Sequence, residues 1–250
     1  MKLLSIKPTF IALLAFVFLF QSCESDDNDT TPDVVLPTTI VDVAIATPEL
    51  SSLVAALQAA DGDLPTVLSG TGPFTVLAPT NEAFANFLSA NGFAGLNDVP
   101  TDVLSQVLLN HVIAGQLEAA DLIALGSGYA NTSASGAGGR AMSLFFNTAD
   151  GVTFNGVSTV TAADVEASNG VIHLVDAVIG LPTIVDLAAA NPNFSSLVGA
   201  LTTDGNTGFT DLLSTPGDFT VFAPVNEAFE AFDNPDMNEL NNILSNHVVV

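Results

Sequence analysis

Positive charge is what this sequence has least of. Lys and Arg together number 3 against 27 Asp and Glu, for a formal charge of −24. A surface of that sign repels phosphate backbones and anionic headgroups, which excludes nucleic acid as a partner. A single cysteine, Cys23, excludes an internal disulfide framework and any metal site built from several thiolates. The histidines are His111, His173 and His247, with no HExxH spacing and no close carboxylate cluster around any of them. Neither a GxSxG nucleophile turn nor a GxxxxGK phosphate loop occurs, so no catalytic residue, cofactor or metal ligand is expected. The apolar run Phe10 to Phe20 is too short to span a bilayer. Against these absences stands 48% apolar content, enough to bury one or two ordinary cores.

The short apolar run follows Lys2 and Lys7 and has the size of a secretory signal's central region. It closes on LFQSC, which resembles the bacterial lipobox, so residues 1–22 are expected to be a lipoprotein signal peptide and Cys23 the site of lipid attachment. Such an anchor holds a protein to a bilayer without spanning it. Residues 23–38 continue as ESDDNDTTPDVVLPT after the cysteine, an acidic tether without apolar periodicity. An acidic run directly after a lipidated cysteine resembles a surface-export signal. The expected location is therefore the outer membrane at the cell surface, with its periplasmic face as the alternative. Removing residues 1–22 leaves Arg140 as the one cation against 27 carboxylates.

The chain also repeats itself. TIVDVAIATPELSSLVAAL at 39–57 returns as TIVDLAAANPNFSSLVGAL at 183–201 with thirteen of nineteen residues identical, and GPFTVLAPTNEAF at 72–84 returns as GDFTVFAPVNEAF at 217–229 with ten of thirteen. LLNHVIAG around His111 is echoed by LSNHVVV around His247. A unit of this length is a whole domain and not a solenoid repeat. The first copy occupies 39–180; the second, 183–250, corresponds to its N-terminal half. By the first copy's length, the second is expected to continue to about residue 315, with Phe194, Leu197, Val198, Leu201, Phe219, Phe222, Phe229 and Phe232 lacking a full sheet to cover them.

Each repeated block reads as scaffold. Thr39 to Asp42 and Thr183 to Asp186 have the spacing of a capping box, with Asp in the Glu position. Thr47-Pro48 and Asn191-Pro192 supply a cap followed by proline at the first helical position. Leu50, Leu53, Val54 and Leu57, matched by Phe194, Leu197, Val198 and Leu201, form one apolar stripe at i, i+3, i+4, i+7. Phe74 to Ala78 reads as a strand ended by Pro79. Thr80 or Asn81 then caps a helix with Glu82 in its first turn and Phe84, Phe87 and Leu88 on its inner face. One amide and one carboxylate, Asn81 and Glu82, cannot divide the roles of general acid and base.

From Leu117 to Ile179 the texture changes to short strands in GVTFNGV (151–157), STVTAADV (158–165) and VIHLVDAVI (171–179), marked off by Gly and Asn-Gly. Helices first and strands later indicate an α+β domain. Residues 126–140, GSGYANTSASGAGGR, read as a mobile loop. His111 and His247 each follow an apolar helical segment, where a cation interacts favourably with the helix dipole; a hydrogen-bonded structural role is expected for all three histidines.

The combination TIVD, FTVLAPTNEAF, NHVIAG and NGVIHLVDAVI resembles the fasciclin-type (FAS1) adhesion domain, over 39–180 in full and 183–250 in part. The resemblance implies a FAS1 fold, a strand-built wedge or sandwich flanked by a helical layer, in a protein that is exported or surface-anchored and mediates contact without catalysis. Integrin-recognising members carry an aromatic residue before the histidine that follows the third helix. Here those positions are Asn110 and Asn246, which with His111 and His247 are the candidate adhesion-motif positions. The expected function is a lipid-anchored envelope module that binds a surface protein or polysaccharide, with divalent cations as candidate bridges between anionic surfaces. The alternative is an envelope scaffold or polysaccharide-handling component.

Overall fold

A computed structural model describes residues 38–202, 207–215, 217–233 and 239–249. The signal peptide, Cys23 and the acidic tether expected above lie outside the described residues. The first copy opens with α1 (Ile40–Ala46), α2 (Ser51–Ala59) and α3 (Leu64–Leu68), then runs through β1 (Phe74–Pro79), α4 (Asn81–Ala90), α5 (Thr101–Leu109), β2 (Val112–Ala114) and α6 (Ala119–Leu125). Five strands complete it: β3 (Ser127–Ser135), β4 (Ala141–Asn147), β5 (Thr153–Phe154), β6 (Ser158–Ala167) and β7 (Gly170–Val175).

The capping boxes form as their spacing demands. Thr39 receives the Asp42 N–H and returns its own N–H to the Asp42 carboxylate at 2.9 Å, and Thr183 with Asp186 repeats this at 2.8 Å. The Thr39 N–H, and then its hydroxyl, hold the Asp42 carboxyl below the usual carboxylate range. Thr47 departs from expectation. Its side chain caps nothing and donates back to the Val43 carbonyl at 2.8 Å, so Pro48 opens a single 3₁₀ turn before α2. Thr80, not Asn81, caps α4 by accepting from Ala83 N–H.

The strands, expected as a wedge or sandwich, close on themselves. β1 pairs antiparallel with β2 on one edge and parallel with β7 on the other, from Phe74 opposite Gly170 to Pro79 opposite Val175, and the remaining neighbours are antiparallel. Closure gives the sheet an inside and an outside, both buried where helices cover it. Alternate residues therefore enter different cores. Val76, Ala78, Val112 and Ile172 join Leu50, Leu53, Leu57, Phe84 and Leu104 beneath the helical layer. Leu77, Ile113, Val175 and Ile179 join Leu144, Phe146 and Phe154 inside the barrel.

Residues 126–140 are not a loop. Ser127–Ser135 pairs with Ala141–Asn147 as a hairpin, with a register shift between Asn131 and Ser135. Small polar side chains give such a strand little intrinsic preference, but its pairing with β4, and Thr132 opposite Ile113 of β2, supply the ladder. α6 was equally hidden within a stretch read as turns and strands. Its own ends are clear once placed: Glu118 and Asp121 bond reciprocally at its start, and Gly126 stops it at φ 76.

The second copy rebuilds the same beginning with α7 (Ile184–Ala190), α8 (Ser195–Thr202), α9 (Thr207–Leu213), β8 (Thr220–Val221), α10 (Asn226–Glu230), α11 (Leu240–Ser245) and β9 (Val248–Val249). Leu197, Leu201 and Leu244 form its small core. Two of the eight apolar residues expected to lack cover, Leu197 and Leu201, are thus buried, while Phe222 and Phe232 stand 63% and 55% exposed. Asn191 joins the copies by donating to the Tyr129 hydroxyl at 3.0 Å.

Candidate functional site

The run Leu109-Asn110-His111-Val112 turns helix α5 into strand β2, and the structure places its two polar residues inside. Asn110 is 0% and His111 2% exposed. Asn110 donates to the Gly180 carbonyl at 2.9 Å and accepts from the Thr132 hydroxyl at 3.0 Å, so one amide bridges β3 and the segment after β7. Ile179 N–H donates to His111 Nε2 at 2.9 Å. Nε2 therefore carries no proton, and Nδ1–H donates to the Val107 carbonyl at 2.7 Å. Burial, partly offset by the Val107 carbonyl, lowers the His111 pKa to about 4. The favourable cation at a helix end, expected from sequence, is overturned here: desolvation outweighs the dipole, and the imidazole meets the last turn as a neutral donor.

His173, on β7, has the opposite tautomer. Asp164 N–H donates to Nδ1 at 3.2 Å, leaving Nε2–H for the Leu117 carbonyl at 2.8 Å. In the second copy Asn246 is exposed and His247 half-buried, with Nδ1 bonded to the Ile243 carbonyl at 2.9 Å. The same contact recurs at the strand, where Leu77 N–H reaches the His111 carbonyl at 2.9 Å and Phe222 N–H reaches that of His247 at 2.8 Å. Asn81 binds Ser52 N–H at 2.8 Å and the Pro48 carbonyl at 3.0 Å; Asn226 binds Ser196 N–H at 2.9 Å and the Pro192 carbonyl at 2.9 Å. The repeated asparagine is a clamp between two helix starts. Asn110 and His111 come together in one junction, Asn246 and His247 in another, and the two pairs do not form one site.

Outward-facing concavities lie elsewhere. An open groove of about 700 Å³ between α3 and α5 is lined by Leu64, Val67, Val103, Leu181, Asp61 and Asp102. A mostly apolar cleft of about 260 Å³ lies between the copies, walled by Leu197, Leu201, Phe209, Leu213 and Phe222 of the second and by Tyr129 and Ser143 of the first. Among the described residues no group of three or more His, Cys, Asp or Glu is arranged to hold a metal ion, and no single helix is long and apolar enough to cross a membrane.

The fasciclin domain model matches residues 48–182 and 192–250. The chain belongs to the fasciclin domain family. Among fasciclin relatives, protein sll1483 of Synechocystis sp. is 43% identical over 141 residues, covering 56% of this chain and 72% of its own. Periostin of Homo sapiens is 32% identical over 222 residues, 85% of this chain but only 24% of periostin. A solved fasciclin domain pair from the insect cell adhesion molecule Fasciclin I superposes with a TM-score of 0.51 at 20% identity, over 80% of this chain and 72% of the other. That likeness is one of fold: helices against a closed sheet, in tandem.

Within this fasciclin domain, Asn169 and Gly170, which open the run NGVIHLVDAVI, hold the fold in a way their local sequence does not show. Asn169 accepts from Ile40 N–H at 2.9 Å and donates to the Leu68 and Gly70 carbonyls at 2.7 and 2.8 Å, tying α1 and the end of α3 to the start of β7. A Cβ on Gly170 would sit 2.0 Å from the Phe74 carbonyl oxygen. The Asn-Gly dipeptide before an apolar run was the available signal, and a turn was the only meaning local sequence could give it.

Proposed function

We propose that this protein is a lipid-anchored binding module of the cell envelope. It is exported, held through Cys23 to the outer membrane with its fasciclin domains at the cell surface, and recognises a protein or polysaccharide there. The observation that carries the reading is how the first domain uses its polar residues: Asn81, Asn110, His111 and His173 are all engaged in hydrogen bonds that hold the fold together. Outward-facing carboxylates and aliphatic side chains suit contact and not proton transfer. The likeness in fold to a domain pair from a cell adhesion molecule supports the same direction. The groove between α3 and α5 fits a ligand with an apolar anchor, the carboxylates Asp61 and Asp102 in its lining meeting cationic groups or a shared divalent cation.

Two comparisons test this. Wild-type cells are expected to carry acylated, membrane-bound protein that external protease removes, and the Cys23→Ala variant to lose both label and membrane partition. Acyl labelling that survives the substitution overturns the anchor, and protection of the wild type in intact cells overturns the surface location. Capture on immobilised surface proteins and glycans is expected to fall with Val103→Asp and with a chelator. Capture indifferent to Val103→Asp removes the groove from the reading, and capture indifferent to chelation removes the cation bridge.

A further inference from the structure

Helix α5 carries more apolar surface than its packing requires. Its inward residues Leu104, Val107 and Leu108 are buried, and the second copy, counted back from the shared Asn-His, keeps them apolar as Leu240, Ile243 and Leu244. Val103 and Leu109 are not kept: Glu239 and Ser245 stand in their places. The fold does not dictate these two aliphatics. Both line the groove of about 700 Å³ between α3 and α5. Of the eight exposed large apolar residues between Ile45 and Leu181, three gather there, with Val67 50%, Val103 40% and Leu181 39% exposed. Single exposed aliphatics need no explanation, whereas three around one concavity mark a contact surface.

Charge decides the occupant. Asp61 and Asp102 are the charged residues of the lining, which contains no Lys, Arg or His. Asp61 is fixed against α5: its Oδ2 accepts from the Thr101 hydroxyl at 2.7 Å and its carbonyl from the Ser105 hydroxyl at 3.0 Å. Asp102 lies in the first turn of α5, where a carboxylate also suits the helix dipole, but that account leaves Val103 beside it unexplained. An anionic polysaccharide meets like charge here. A neutral one presents C–H faces that stack on flat aromatic rings, and the lining has no Phe, Tyr or Trp. The complementary ligand is a polypeptide that brings an apolar side chain to the aliphatics and cations to the carboxylates.

We propose that the groove between α3 and α5 docks a cationic segment of a partner protein, with one apolar side chain seated among Val67, Val103 and Leu181 and flanking Lys or Arg residues paired with Asp61 and Asp102. A second copy of this chain is the poorer partner, because its sequence after residue 22 holds one cation, Arg140. The inference rests on the binding role proposed above and narrows its ligand from a protein or polysaccharide to a basic protein segment.

The probe is a displayed library of random peptides, selected on the full chain and depleted on its Val103→Asp variant. Glu239 holds the matching position in the second copy, so an acidic residue there is compatible with the helix. Enrichment of sequences with Leu, Ile or Phe between Lys or Arg residues is expected. A synthetic peptide of the enriched sequence should slow amide exchange in α3 and α5 and bind about tenfold more weakly to the Asp61→Asn, Asp102→Asn chain, in which Asn at 61 still offers the Thr101 hydroxyl an acceptor. The pair Glu49→Gln, Asp150→Asn removes the same charge from exposed positions outside the groove and is expected to change binding by no more than about twofold. An equal loss in that control would reduce the effect to general attraction and overturn the docking site. Enrichment of sequences without basic residues, or of none, overturns the basic segment. Wild type and Val103→Asp are also compared on neutral and anionic glycans. Glycan capture lost with Val103→Asp overturns this inference and keeps the groove as the binding site. If neither peptides nor glycans distinguish the variant from wild type, the groove itself is removed, and with it the reading on which this inference rests.

Discussion

His111 has no room for a proton, because Ile179 N–H points at Nε2 and a second hydrogen there would set donor against donor. Its pKa falls from 6.5 to about 4 in the folded chain, so between those values the unfolded state binds the extra proton. This stability is therefore fully present above pH 6.5 and is lost as pH falls toward 4, on the order of 3 kcal/mol at most. Urea denaturation across that range is expected to show wild-type stability falling with acid. His111→Ala should be weaker at pH 7, by roughly 2–4 kcal/mol for a buried group whose partners are left unpaired, and should lose most of the acid dependence. A variant with an unchanged pH profile would show that another group titrates. Gly170 offers a second test of this scale. Ala there drives a Cβ against the Phe74 carbonyl, which cannot move without breaking the β1–β7 pairing. Gly170→Ala is expected to cost roughly 3 kcal/mol or more in chemical denaturation, whereas a loss within about 0.5 kcal/mol would mean the strand start can yield.

Helix α4 spans Asn81–Ala90, but its counterpart α10 spans only Asn226–Glu230, although the repeated peptides differ at three positions. One of those three is the cap: Thr80 accepts from Ala83 N–H, and Val225 in its place offers no acceptor. α8 likewise carries Gly199 where α2 carries Ala55. Val225→Thr is therefore expected to stabilise the second copy by about 1 kcal/mol, and Gly199→Ala by about 0.5–1 kcal/mol, through capping and backbone entropy respectively. Amide exchange within α10 and α8 reads each change separately, and unaltered exchange in α10 after Val225→Thr would rule out the missing cap as the cause of its shortness.

Across the whole molecule the first copy has two interlocked cores, and the second has Leu197, Leu201 and Leu244 with part-buried neighbours. Stability should be distributed accordingly. Limited proteolysis of the 250-residue chain is expected to leave a resistant core near residues 39–180 while 183–250 is cut early. Equal resistance of both parts, with one cooperative unfolding transition, would contradict this.

The sequence by itself determined much of what depends on near neighbours along the chain. The capping boxes at Thr39 and Thr183 and the stripe Leu50-Leu53-Leu57 are legible because a helix brings i, i+3 and i+4 together whatever surrounds it. What faces the interior at a junction is different. Asn110 reads as a polar residue beside a histidine, and only the arrival of Thr132 from β3 and Gly180 from beyond β7 makes it a buried bridge. Ser127–Ser135 became a strand because β4 and β2 flank it, not through its own preferences. Closure of the sheet rests on Phe74 meeting Gly170 in parallel, and no local pattern encodes a partner so far along the chain. Tertiary structure alone decided that pairing.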